Sequence, residues 1–487
     1  MRTQIANVFW SGAEAAVSAV LSFASAFIVA RLIGPTEVGI GAAVVAVHVL
    51  LWVAVNALFA DALVQRSALD SSTFSSAFFA SITVGCVAAL IQAGAGPPLH
   101  WLLADHRLIT MSLLLAAPLP LVGAAGPVQG LLTRDRAYKA LALRTVAGQG
   151  LGTLVGVVAA LRGAGAWALV GQQFVTSAVG ALALLINCPS RPEPRISWSC
   201  LRELLRIGLP LTESTLVLHG RYRLFALLIG GTAGAAALGQ VHMAFRLIDA
   251  MRDLAFTAQW RLMLPILSER QDDLSGLHDA MHRCLGWSSL FAFPLCAGLA
   301  VSIQPLVAVL LGPVWQPSGV AALPLIALAA WLFLNFPAGV AVVARGEPRY
   351  TLLANIAGTV ATAVGVLMIH PTTPLHAVLV WLGAQMFVSP YVLLTNARVL
   401  GTTLFRPLRA GIPMMSASLI AVVAAICLPR VIGEPASPGW LLVMRLAVVI
   451  TVVLPVALRL IGDSRPARSL SPRTSPNTRN AGGSVHP

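Results

Sequence analysis

An all-α polytopic membrane protein of about fourteen transmembrane helices, built as two pseudo-symmetric six-helix lobes plus a C-terminal helix pair with both termini cytoplasmic, is what the sequence predicts. Three observations carry this. Hydrophobic residues make up 57% of the 487 and charged residues 10%, with a mean hydropathy of +0.83, whereas a globular chain carries about a quarter of its residues charged. Apolar runs of the roughly 20-residue length that crosses a bilayer recur from end to end. Basic residues concentrate in alternate loops, as the positive-inside rule requires.

In chain order, the first span (8–30) follows MRTQIANVFW. Its apolar run is too long for a signal peptide and lacks a small-residue cleavage site, so it is read as retained. The second (38–60) is reached through ARLIGPTEVG. The third and fourth follow at 76–96 and 109–131, the latter with Pro118 and Pro127 inside it. The fifth (145–161) carries Gly148, Gly152 and Gly156 at four-residue spacing, a small-residue face that lets a neighbouring backbone approach. The sixth (165–187) closes an N-terminal lobe of residues 1–200. The spans at 207–230, 237–262, 286–311, 319–343, 351–370 and 375–396 form a second lobe, 201–397. Pro210, Pro294, Pro337 and Pro390 each remove a backbone hydrogen bond and bend these helices. Spans at 411–428 and 438–460 make the final pair (398–461), and the Ser/Pro/Arg-rich tail 462–487 is too polar to pack. A weak repeat supports the two lobes. Leu-Ile-Gly, a small-residue turn and a helix-opening glycine occur in ARLIGPTEVGIGAA (30–43) and again in LLIGGTAGAAALGQVHMA (227–244).

The formal charge of +14 would suggest a nucleic-acid partner in a soluble chain. Here it sits between hydrophobic runs, and no nucleic acid is implied. With a cytoplasmic N-terminus, the outer loops hold Arg31, Arg107, Arg162 and Arg430. Most of the remainder falls inside, in LTRDRAYKALALR (132–144), SRPEPRISWSCLRELLR (190–206), FRPLR (405–409) and the tail. The six cysteines show no metal-ligand or disulfide spacing, and no cofactor or metal is expected. P-loop, GxSxG and DxD patterns are absent. HWLLAD (100–105) matches an H-x4-D acyltransferase pattern with no companion motif, and the outer loops are too short to fold an enzyme. The chain is read as a non-enzyme.

Ionisable residues inside the spans mark the candidate site. LTESTLVLHGRYRLFALLIGG (211–231) places Arg221 about 21 Å along its helix, well inside a hydrocarbon layer of roughly 30 Å, at a cost of roughly 2.5–3.5 kcal/mol on insertion scales. Arg221 and Arg223 point about 200° apart, so an unbroken helix aims one of them, unspecified, at a cavity. His242, Arg246, Asp249 and Asp253 form a stripe about 60° wide on the eighth span. We assign Arg221, Arg223, Arg246 and His219 to an anionic substrate. Glu14, Glu213, His242, Asp249 and Asp253 are assigned to ion coupling or charge pairing, with His48 as a packing or coupling histidine. The competing reading is internal neutralisation: Arg246 with Asp249 or Asp253, and Glu213 with an arginine of its own helix.

FWSGAE and ARLIGPTEVG, ALVQRSALDSSTFSSAFF, RGAGAWALVGQQ, LIGGTAGAAALG, AFRL, LMLPILSERQDD and FPLCAGLAVSIQPLVAVLLGPVW, in this order over residues 8 to 400, resemble the Wzx-type polysaccharide flippases of the multidrug/oligosaccharidyl-lipid/polysaccharide exporter superfamily. The resemblance implies two lobes around a cationic cavity. It also implies flipping of an undecaprenyl-diphosphate-linked oligosaccharide across the bacterial inner membrane for exopolysaccharide or O-antigen synthesis, with membrane lipids, a polysaccharide polymerase and chain-length machinery as partners. The chain departs from the family in having Phe225 near a common acidic position, and Gln240 and Val241 where an aromatic is common. A cation-coupled multidrug exporter of the superfamily and a lipid II flippase are the alternatives, the exporter favouring an acidic cavity.

Overall fold

Inside a bilayer every backbone N–H and C=O must find its partner within the protein, which leaves apolar runs of this length the helix as their form. The computed structural model describes residues 2–66, 70–190, 192–194, 196–403, 406–432 and 438–463; the tail lies outside them. Regular structure among the described residues is entirely helical: α1 (Arg2–Gln65), α2 (Ser71–Gly94), α3 (Gly96–Leu103), α4 (Arg107–Ala116), α5 (Leu119–Arg134), α6 (Tyr138–Leu161) and α7 (Trp167–Ile186) in the first half, then α8 (Trp198–Ser268), α9 (Leu274–Leu310), α10 (Gln316–Ala344), α11 (Pro348–Ile369), α12 (Pro374–Leu400), α13 (Ile412–Ile432) and α14 (Pro438–Asp463). Twelve helical stretches are long and apolar enough to cross a membrane. Two of them lie in α1 and α8, whose 64 and 71 residues are each long enough for two crossings, and so fourteen passes result. The chain is a multi-pass membrane protein.

The two long elements are kinked in the same way. Gly34 sits at φ 79°, ψ 170° and Gly234 at φ 80°, ψ 176°, a region of backbone space open essentially to glycine alone. The equivalent residues are thus 200 positions apart. This corrects the repeat read from sequence: the second Leu-Ile-Gly (228–230) lies one helical turn ahead of the kink, because the left-handed residue is Gly234 and not Gly230. The two kinked arms then pack on each other through glycine. A methyl group added at Gly39 would lie 1.8 Å from the Ala235 carbonyl oxygen, and one at Gly239 would lie 1.9 Å from that of Pro35. The contact is reciprocal, as a pseudo-two-fold axis demands.

Loops alternate between two ends, as the charge pattern requires. At the kinked end Arg31 donates to the carbonyls of Val309 and Leu310 (3.0 and 3.1 Å), and Gln240 bridges Val314 O (2.8 Å) and Ser318. At the other end Arg66 pairs with Glu203 (3.1 Å), and His278 and Arg345 bond the Leu400 and Val399 carbonyls. Helices α13 and α14 pack on α9 through Phe293, Ala297, Val301, Met414, Ala421 and Val449.

Several helices run past their predicted limits: α8 begins at Trp198, not 207, and α9 at Leu274, not 286. The added turns are amphipathic, and a hydropathy window sees only the apolar centre. For the same reason Arg144, read as part of a cytoplasmic loop, lies inside α6. The small-residue face of that helix packs as expected against α7. Methyl groups at Gly148, Gly152 and Gly156 would meet the Thr176 carbonyl, the Thr176 hydroxyl and the Gln172 side chain at 2.9, 2.1 and 2.7 Å.

Candidate functional site

Between the two halves lies a cavity of about 280 Å³. The C-terminal half presents its basic residues to it: two guanidinium groups, Arg223 and Arg246, and the His242 imidazole, all from α8, line one side. The N-terminal half supplies neutral polar groups, Gln149 and Thr153 from α6 and Gln172, Gln173 and Thr176 from α7. Arg223 lies about 16 Å along the helix from the Gly234 kink, half-way through the hydrocarbon. Its guanidinium sits 5.5 Å from the Tyr222 ring, and no hydrogen bond or ion pair joins it to another described residue. Tyr222, in turn, places its hydroxyl 3.0 Å from His242 Nδ1. Arg246 donates to the carbonyl of Ser22 (3.1 Å) and to the Ser22 hydroxyl, tying α8 to the first pass.

A second cavity of about 260 Å³ shares Gln149, Gln173 and Thr176 with the first and extends the polar space into the N-terminal half. Arg144 lines it and donates to Gln129 (2.7 Å). Beside it Thr145 donates to Glu14 (2.6 Å), so Glu14 reaches this polar space from the first pass.

The other candidates are dispersed. Arg221 points away from both cavities and into the C-terminal half, bonding Gln385 (3.1 Å) and stacking on Trp381 (5.0 Å). The two arginines therefore occupy different compartments, as their angular separation implied. Asp249 pairs with Arg252 (2.9 Å). Arg246 bonds Ser22 across the two halves, and no ion pair joins Glu213 to Arg221 or Arg223 among the described residues; Glu213 and His219 are exposed. The Asp253 side chain lies outside the described residues. His48 is buried, its Nε2 3.0 Å from Ser177 Oγ. In the H-x4-D stretch, Asp105 is held by Arg107 (2.7 Å) and His100 stacks on His106 (4.0 Å). Phe225, where the resemblance has an acid, is fully buried between Phe245 and Trp381.

Sequence reading missed Arg144, Tyr222 and the amides of α6 and α7. The signal was present, in that Gln149 and Thr153 recur at four-residue spacing, as do Gln172 and Thr176. Neutral polar residues in an apolar helix attract less notice than charges, although their amide and hydroxyl groups both donate and accept, which suits a partner rich in hydroxyls.

A family described as polysaccharide biosynthesis protein matches residues 28–320. The succinoglycan biosynthesis transport protein ExoT of Rhizobium meliloti (strain 1021) is 26% identical over 320 residues, which span 64% of this chain and 64% of that relative. Among solved structures, the lipid II flippase MurJ in its inward closed conformation superposes with a TM-score of 0.77 at 12% identity, over 94% of this chain and 99% of that one. A multidrug resistance MATE family transporter of the MOP superfamily, inward-facing, gives 0.59 at 15% identity, over 84% of this chain and 95% of that one. At such identities the likeness is one of fold.

Proposed function

The chain belongs to the polysaccharide biosynthesis protein family, and on that premise we propose that it flips a lipid-diphosphate-linked oligosaccharide from the cytoplasmic to the outer leaflet of the bacterial inner membrane. The observation that carries this reading is the unequal division of the cavity: Arg223, without an ion pair among the described residues, and Ser22-bonded Arg246 on one wall, neutral amides and hydroxyls on the other. A guanidinium holds a phosphate through parallel charge-assisted hydrogen bonds. Each glycan hydroxyl stripped of water without a partner costs roughly 2–7 kcal/mol, and Gln149, Gln172, Gln173 and Thr176 offer those partners. The polyprenyl tail stays in lipid while the head crosses.

Alternating access follows from the two halves. The end bearing Gly34 and Gly234 is closed by the glycine contact, and we assign it to the outer face, since the arginine-rich loops lie at the opposite end. An anionic headgroup competes for Arg246, which now bonds Ser22 across the two halves, so that loading loosens the tie between them. Transport of this kind breaks no covalent bond, and the chain acts as a carrier and not as an enzyme. A polymerase and chain-length machinery would receive the product at the outer face. Coupling of the cycle to an ion is assigned to Glu14 and His242, at the polar spaces, and to Asp249 beside them on α8.

Alanine at Arg223 or Arg246 removes a charged hydrogen-bonding partner, worth about 1.5–3 kcal/mol or roughly tenfold and more in substrate affinity. The expected outcome is loss of glycan export in a deletion strain complemented with either variant, at normal membrane abundance. Wild-type export by the double variant would overturn the assignment, and export of a cationic drug in place of glycan would favour the antiporter reading.

A further inference from the structure

Arg221 is a half-buried cation set apart from the cavity just described. It projects from α8 into a separate cavity of about 150 Å³ enclosed by α10, α11 and α12. There its guanidinium donates to Gln385 Oε1 (3.1 Å) and stacks on Trp381, and both partners are neutral. No carboxylate pairs with it among the described residues. The charge that bears on it is a like one, Arg252, already paired with Asp249. Gly358 on α11 makes the room: a methyl group there would lie 3.2 Å from Arg221 Nη1. An uncompensated cation at this depth is costly, and a counter-ion is the missing element.

We propose that this cavity is a binding site for a small monovalent anion of the chloride class. The free hydrogen-bonding capacity around it is of the right kind. Gln385 Nε2 is buried and has no acceptor among the described residues, and Ser389 Oγ already accepts from Trp331 Nε1 (2.8 Å), which leaves its own O–H free to donate. Guanidinium, amide and hydroxyl thus all present N–H or O–H groups to one space. The remaining walls are mostly apolar, with Leu328, Leu332 and Val392 among them, and carry two further amides, Asn335 and Asn355. One positive charge in such walls suits a single, weakly hydrated negative charge, because a dianionic phosphate would leave one charge uncompensated in low dielectric. Asn335 Oδ1, an acceptor without a partner, takes a water beside the ion.

The test uses the full chain in detergent without lipid substrate, so its result is separate from that of the flippase reading. Melting temperature is measured in sodium chloride against sodium gluconate at constant ionic strength. A ligand that binds only the folded state stabilises it in a saturable way. The expected result is a saturable rise with chloride in wild type and in Arg223→Gln, and loss of that rise in Arg221→Gln. An equal chloride response in Arg221→Gln, or none in wild type, overturns the proposal. If Arg221→Gln does not fold, Gln385→Leu is expected to move the chloride midpoint several-fold upward, and an unmoved midpoint counts against the site. Crystals of wild type grown in sodium bromide should show an anomalous peak between Arg221 and Ser389; an empty cavity there overturns it.

Discussion

Arg221 and Arg223 differ by two positions and by everything that surrounds them. Arg223 faces the space between the halves beside the Tyr222 ring, sharing its wall with His242 and Arg246, while Arg221 has a ring, an amide and a cavity of its own. Their angular separation was legible in the sequence, being a property of any helix. Which of them faces the space between the halves was not, since that depends on how α8 is rotated against α10, α11 and α12. Outside the membrane, Asp105 shows a different use of charge. Arg107 bonds its carboxylate (2.7 Å) and also grips Glu37 with two bonds (2.9 and 3.0 Å), clamping the first kink to the 104–107 turn. The hydrogen bonds from the Arg107 side chain, with help from its backbone N–H, hold the Asp105 carboxyl below the usual carboxylate range. A depressed folded value means that the clamp stabilises the protein fully above about pH 4 and fades as pH falls through that lower value. Melting curves in detergent should therefore drop on acidification below about pH 4, and Asp105→Asn should flatten part of that drop.

Helices were legible as elements because their apolar centres are long and uninterrupted; their ends were not, because the extra turns of α8 and α9 look like loops to a hydropathy average. The glycine face of α6 was readable down to its residues, since four-residue spacing leaves one smooth stripe. Its partner could not be read, and it proves to be the Gln172–Thr176 turn of α7. That turn also lines both polar cavities, so packing and site share a wall. Gly152→Leu has no room beside Thr176, and overpacking of this kind costs about 1–3 kcal/mol. A lower melting temperature together with weaker glycan export is the expected pair of effects. Gly150, whose added methyl meets nothing, should tolerate alanine in both measurements.

Across the whole molecule, the two halves meet at one end through Gly39 and Gly239, each against the backbone of the opposite arm. The repeat was visible in sequence as Leu-Ile-Gly, a small-residue turn and a helix-opening glycine, with Gly230 set where Gly234 belongs. Its true register appeared once the positive φ angles singled out Gly34 and Gly234. Gly39→Ala should force the arms apart, at a cost of about 1–3 kcal/mol. A cysteine placed at Val38, only 2% exposed in this state, should then react faster with a water-soluble maleimide than in the parent protein; unchanged labelling would mean that the arms yield elsewhere. A seam of main chain against main chain has a further consequence for the cell. Backbone laid on backbone there leaves no room even for a methyl group, so on the proposed reading the protein can sit in an energised envelope without short-circuiting the proton battery that powers growth.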